Sequence, residues 1–225
     1  MQTRVTTARS VIPSPFALLL IALSAACAKG PTAPSGPPTL LSAPLQSGAW
    51  QTISDPQPFP LANDGASLVF DFPTTGSMHY LFTPSPLSTL RGTLAVTLQV
   101  STSGPVLFES LDPQSAMCSI PTSVRPFFWA NANGNGEYDR WWSNPHAYAL
   151  AHGSAAISVP LQAEHWSSVN GRFGNADGDA RFNFEKALLN VTRLGLTFGG
   201  GCSFGHGIRI RGGSARFTLT AYAIG

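Results

Sequence analysis

From residue 66 onward the chain alternates apolar and polar positions with a period of two, the pattern of strands whose every second side chain meets a core. Leu68, Phe70 and Phe72 alternate with Ser67, Val69 and Asp71, and Met78, Tyr80 and Phe82 with Ser77, His79 and Leu81. Leu94, Val96, Leu98 and Val100 form the cleanest run; Ala155, Ile157 and Val159, then Leu194, Leu196 and Phe198, follow the same rule. A last strand sets Ala215, Phe217, Leu219 and Ala221 against Arg216, Thr218, Thr220 and Tyr222. Clusters of Pro, Gly, Asn and Ser separate these runs, as at 83–88, 101–105, 131–136 and 199–201. One segment reads as helical, a short turn over 183–189 with Asn183 as its cap. No alternating strand–helix–strand pattern is present, which excludes a doubly wound sheet, and no fixed-period repeat suggests a propeller. The expectation is an all-β fold: a two-sheet antiparallel β-sandwich over residues 49–225.

The N-terminus departs from this pattern. Arg4 and Arg9 precede an apolar run from Phe16 to Leu23, and small residues then lead to a cysteine. That is the layout of an export signal, and the apolar run is short for a bilayer span. Leu23-Ser24-Ala25-Ala26-Cys27 resembles the lipobox of bacterial lipoproteins, which implies cleavage after residue 26, lipid on Cys27, and a mature chain held to a membrane. Ala28 behind the cysteine resembles lipoproteins sorted to an outer membrane. An ordinary secretory signal is the alternative. Residues 27–48 are rich in Pro, Ser, Gly and Ala and read as an extended tether.

Composition sharpens this picture. Only 11% of the 225 residues are charged, with 13 basic and 11 acidic, which excludes a nucleic-acid partner held by a basic face. Cleavage after residue 26 removes two of the 13 basic residues and no acidic one, so the mature chain is formally neutral. With Cys27 lipidated, the remaining Cys118 and Cys202 can form one disulfide in an oxidising compartment.

Several signatures of chemistry are missing: no G-x-S-x-G, no H-E-x-x-H, no phosphate-binding glycine loop. The acids near aromatic segments are Glu109, Glu137, Asp139 and Glu164, and a catalytic pair among them would need to face one another across a cleft. No enzyme is expected. The most unusual segment holds Tyr138, Arg140, Trp141 and Trp142; adjacent tryptophans in a strand point to opposite sides, so one can pack the core and leave the other free beside Arg140. A flat ring beside polar groups suits a sugar, whose C–H faces stack and whose hydroxyls bond. Trp166 and its polar neighbours form a second candidate contact. Phe127, Phe128 and Trp129 read as core. No cofactor is expected, although Asn175-Ala176-Asp177-Gly178-Asp179 and the run from Asn131 to Asp139 place oxygen donors at alternate positions, as calcium loops do. Ordinary turns explain both equally.

The C-terminal third, a helical turn at 184–189, a strand at 194–198, a Gly-rich loop and a final strand from Gly213 to Ile224, resembles galactose-binding-like jelly rolls. That fold is common among carbohydrate-binding modules, and the resemblance implies a non-catalytic head that binds a glycan or another extracellular ligand, with Tyr138, Arg140, Trp141, Trp142 and Trp166 as contacts. A structural lipoprotein that meets a protein partner is the competing class, and a glycan-active enzyme the third.

Overall fold

The computed structural model describes residues 41–112, 120–131, 136–200 and 205–225. The alternating runs become strands β1 (Leu41–Ser42), β2 (Gln51–Asp55), β3 (Ala62–Asp64), β4 (Ser67–Asp71), β5 (Ser77–Pro84), β6 (Thr93–Ser103), β7 (Leu107–Ser110) and β8 (Ser123–Trp129). They continue as β9 (Arg140–Ser143), β10 (Tyr148–Ala149), β11 (Gly153–Pro160), β12 (Trp166–Ser168), β13 (Arg193–Gly199), β14 (Ile208–Arg211) and β15 (Ser214–Ile224), with helix α1 (Gly178–Leu188) between β12 and β13. Among the described residues the first sheet runs β11-β6-β15-β4-β3, with β1 also on β15. The second runs β12-β9-β8-β13-β5-β14-β7, with β10 on β8 and β2 on β5. Neighbours pair antiparallel, so the chain forms the expected two-sheet sandwich.

One core lies between the sheets. Leu94, Val96, Leu98 and Val100 of β6, with Leu68 and Phe70 of β4, face Val124 and Phe128 of β8 and Leu194, Leu196 and Phe198 of β13. Phe70 stacks on Phe217 at 5.0 Å, and Phe198 of the other sheet meets both edge-on at 5.7 and 5.4 Å. Edge-to-face rings satisfy the positive rim and negative face of each quadrupole while they fill the volume.

Four expectations change. In β5 the register slips between Ile53 and Ser54 of β2, which pair with Tyr80 and Met78, so His79 is an extra residue. A bulge reverses the parity of a strand. Met78 and Leu81 therefore enter the core, while Tyr80 and Phe82 turn to the opposite face. In β15 the same happens at Thr220: Tyr222 and Ile224 are buried rather than Ala221, and the Tyr222 hydroxyl donates to Gly195 O at 3.1 Å. The helix begins five residues before Asn183, because Asp177 is its cap and accepts from the Ala180 amide at 2.9 Å. Finally, residues 41–48 are not tether. β1 adds to β15, the Ala43 amide donates to Tyr222 O, Ala43 is buried, and the buried indole of Trp50 donates to Pro44 O at 2.7 Å.

The helix closes one side of the sandwich through a single large side chain. Phe184 meets Trp141 edge-on at 5.1 Å and Phe128 at 6.0 Å, both on the core face of the second sheet. Its neighbour Phe182 is 63% exposed, as a helix with one narrow apolar stripe requires.

Candidate functional site

The core uses one face of the second sheet; the other face carries the candidate site. In β8, Val124 and Phe128 point to the core, so Ser123, Arg125, Phe127 and Trp129 share the outer side. Register then assembles three rows across the strands. Trp129 stands between Arg193 of β13 and Arg140 of β9. In the next row Gly195 lies between Phe82 and Phe127, and Phe127 beside Trp142, which pairs with Ser167. In the third, Thr197 lies between Tyr80 and Arg125.

These side chains form a second apolar cluster, separate from the core: Tyr80, Phe82, Phe127, Trp129 and Trp142, with Val169 against it. Tyr80 packs nearly parallel to Trp129 at 6.2 Å and edge-on to Phe127 at 5.2 Å. Two half-exposed guanidiniums overlie the rings. Arg140 is 5.3 Å from the Trp129 ring centre and 6.0 Å from that of Trp142; Arg193 is 4.9 Å from Trp129 and 4.8 Å from Phe82. Each cation meets the negative face of a π-system. Gly195 keeps the middle of the face at backbone level, since a Cβ there would sit 2.0 Å from Leu81 O.

The five aromatic side chains are buried, each 6% exposed or less, and the polar atoms set among them include donors. The Trp129 indole N–H and the Arg140 Nε–H are buried and donate to nothing among the described residues. A buried donor left unmade costs about 1–3 kcal/mol, so each is a position where an incoming acceptor would be favoured. Arg125 is buried and gives its two terminal nitrogens to Ser143 O and Ser123 Oγ, both at 3.2 Å. Burial pushes its guanidinium down to about 10, still above neutral pH, so the charge persists. Burial raises the Tyr80 phenol against the opposing charge of Arg140 and the bonds of Thr197, Arg140 and Trp142, so its hydroxyl stays protonated.

Of the five residues expected as contacts, Arg140 and Trp142 meet on this face. Trp141 and Trp166 do not: both are fully buried in the core, and their indoles donate to Tyr138 O at 3.0 Å and Pro160 O at 2.8 Å. The strand alternation that sends Trp142 outward sends Trp141 inward, and Ser167, not Trp166, flanks Trp142. Tyr138 precedes the strand and stacks on Trp141 at 5.7 Å; its hydroxyl donates to Asp179 at 2.9 Å and accepts from Arg172 at 2.5 Å. It braces the helix end. Tyr80, Phe82, Arg125 and Arg193 were not singled out by the sequence reading; Phe127 and Trp129 are buried as expected, but in the second cluster and not between the sheets. Arg125, two positions before Phe127 and four before Trp129, is a polar residue on their parity, and it is itself buried, with Ser143 O and Ser123 Oγ as acceptors.

The four acids do not gather on this face. Glu109 pairs with Arg209 at 3.0 Å and Arg211 at 2.6 Å, and although burial raises its carboxyl, these bonds hold it below the usual range. Glu137 accepts from Ser168 Oγ at 3.2 Å, Asp139 from the Gly136 amide at 2.7 Å, and Glu164 lies in the turn before β12. The calcium-like segment around Asp177 is a helix cap joined to Arg172, and positions 133 and 135 of the other lie outside the described residues. Among the described residues no three His, Cys, Asp or Glu side chains could hold a metal together. Cys27, Cys118 and Cys202 also lie outside them. No described helix is long and apolar enough to cross a membrane.

No protein-family model matches the chain, and no curated protein is significantly similar to it. Among solved structures, the family 11 carbohydrate-binding module from Clostridium thermocellum, in complex with a β-1,3-1,4-mixed-linked tetrasaccharide, is similar over 83% of this chain and 95% of that one. Its identity is 10% and its TM-score 0.41. The family 11 module of a cellulosomal cellulase of the same organism matches over 79% of this chain and 88% of that one, with 10% identity and a TM-score of 0.38. No correspondence of residues follows at that distance.

Proposed function

We propose that this chain is a non-catalytic glycan-binding β-sandwich, and that the glycan lies on the outer face of the second sheet. The observation that carries the reading is the Arg193-Trp129-Arg140 row, with two buried N–H groups that have no acceptor among the described residues. Sugars offer what this face lacks: hydroxyl and ring oxygens as acceptors, and C–H surfaces for aromatic edges. Binding measured by affinity electrophoresis against a panel of cell-wall and host glycans tests it. Trp129→Ala is expected to weaken binding about tenfold or more, and Trp129→Phe, which keeps a ring but loses the N–H, by less. Absence of binding to every glycan, or equal binding by Trp129→Ala, would sink the reading.

The same proposal includes export, a lipid anchor at Cys27 in the bacterial envelope with the outer membrane as its expected address, and a Cys118–Cys202 disulfide. The described flanks of the two cysteine-bearing loops favour the bridge, since Ser110 Oγ donates to Gly200 O at 3.1 Å and the Leu111 amide to Gly207 O at 3.0 Å. Such a bridge closes a long loop and would contribute roughly 4 kcal/mol by restricting the unfolded chain. An exported form with unmodified Cys27 would remove the anchor from this reading.

A further inference from the structure

The strand arginines divide into two kinds. Across the β7–β14 pair, Glu109 stands in register with Arg209 and also holds Arg211; across β4–β15, Asp71 stands in register with Arg216, and the pair is joined at 2.8 Å. Each of these cations has its carboxylate one strand away. The β13–β8–β9 row has the same geometry, but a tryptophan occupies the place of the acid. Arg193 and Arg140 face one another across Trp129 and make no ion pair among the described residues. The Arg140 Nε–H is buried without an acceptor among the described residues. Arg140 and Arg193 are half-exposed and stand on the strands either side of β8, so two cations without a carboxylate among the described residues border the Trp129 position.

We infer that the ligand on this face is an acidic glycan, a uronic-acid polymer whose carboxylates are taken by Arg140 and Arg193 while a sugar ring lies at the edge of Trp129. The inference rests on the glycan-binding reading and deepens it. A carboxylate is planar and matches the two-pronged donor fork of a guanidinium, which a sugar hydroxyl does not. The two arginines stand one strand to either side of Trp129, about 10 Å apart at the backbone, so a polymer can present a carboxylate to each. A neutral glycan would satisfy the Trp129 N–H and leave both charges unmatched.

The test uses the purified chain and three kinds of probe, measured by calorimetry: oligouronates from polygalacturonate, alginate and hyaluronate; the same oligosaccharides with their carboxyls reduced to alcohols; and a sulfated dextran. At least one oligouronate is expected to bind roughly tenfold or more tightly than its carboxyl-reduced form, the difference a single charge-assisted hydrogen bond makes, and its affinity is expected to fall as salt rises. Arg140→Gln with Arg193→Gln should erase the difference. Arg193→Lys, which keeps the charge but loses the fork, should shrink it while the chain still unfolds cooperatively, and so serves if the double variant folds poorly. Equal affinity for acidic and reduced forms overturns the acidic assignment and leaves glycan binding standing. Tighter binding of sulfated dextran than of every oligouronate overturns the carboxylate assignment. Binding of no probe, with the chain running as a dimer, overturns the glycan reading itself, because a second copy would then cover the face.

Discussion

Trp141 and Trp142 are neighbours in sequence with opposite roles. Strand alternation puts Trp141 under the helix against Phe184 and Tyr138, and Trp142 among the outer aromatics within 6.0 Å of Arg140. Trp141→Ala is accordingly expected to cost about 3–5 kcal/mol in urea unfolding, the usual loss for a buried Trp, while the folded fraction keeps its glycan affinity. An unchanged urea midpoint would contradict the placement. The division between these two residues was legible from parity alone, and so was the side taken by Arg140. Which tryptophan forms the centre of the face was not. Phe127, Phe128 and Trp129 carry no polar residue between them, so the apolar run conceals that its members face two different clusters. Ser123 and Arg125, at the same parity as Phe127 and Trp129, are the polar residues that set this side apart from the core, and Arg125 is buried there with hydrogen-bond acceptors.

At the scale of elements, strands were legible and their interruptions were not. The runs at β6 and β13 keep strict alternation, but the bulges at His79 and Thr220 are set by partner strands, and a partner is invisible to local periodicity. The helix start was hidden for another reason: Asn, Asp and Gly serve turns, caps and calcium loops alike, and 175–179 fits each. The Asp177 carboxylate accepts from the Ala180 amide and pairs with Arg172, and these bonds, the amide first, lower its pKa from 3.8. A carboxyl with a lowered folded pKa stabilises the fold fully above its unfolded value and loses that contribution as the pH falls below 3.8 toward the folded value. Asp177→Ala should therefore lower the melting temperature at neutral pH and lower it less in strong acid, with Asp177→Asn in between because an amide oxygen still caps. A drop that stays constant across the titration would show that the charged cap is not the cause.

At the scale of the molecule, the low charge of the sequence conceals a segregation. A near balance of 13 basic and 11 acidic residues fits a partner recognised by stacking and hydrogen bonds, yet Glu109, Asp71, Asp177 and Asp179 pair with Arg209, Arg211, Arg216 and Arg172, and no ion pair among the described residues holds Arg140 or Arg193. A net charge cannot report this, because it is set by which strands become neighbours. The sandwich was legible from alternation, from turn residues and from a resemblance; the placement of the second aromatic cluster needed the register. The central claim is that ligand meets the outer face of the second sheet. The five tryptophans provide the most direct measurement, since each indole N–H gives its own proton–nitrogen resonance. Those of Trp50, Trp141 and Trp166 are bonded to the backbone carbonyls of Pro44, Tyr138 and Pro160, and that of Trp129 has no acceptor among the described residues. On titration with the tightest-binding glycan of the panel, the Trp129 resonance is predicted to move downfield as it gains an acceptor, while those of Trp50, Trp141 and Trp166 stay in place. A glycan that binds and leaves Trp129 unmoved would contradict the account.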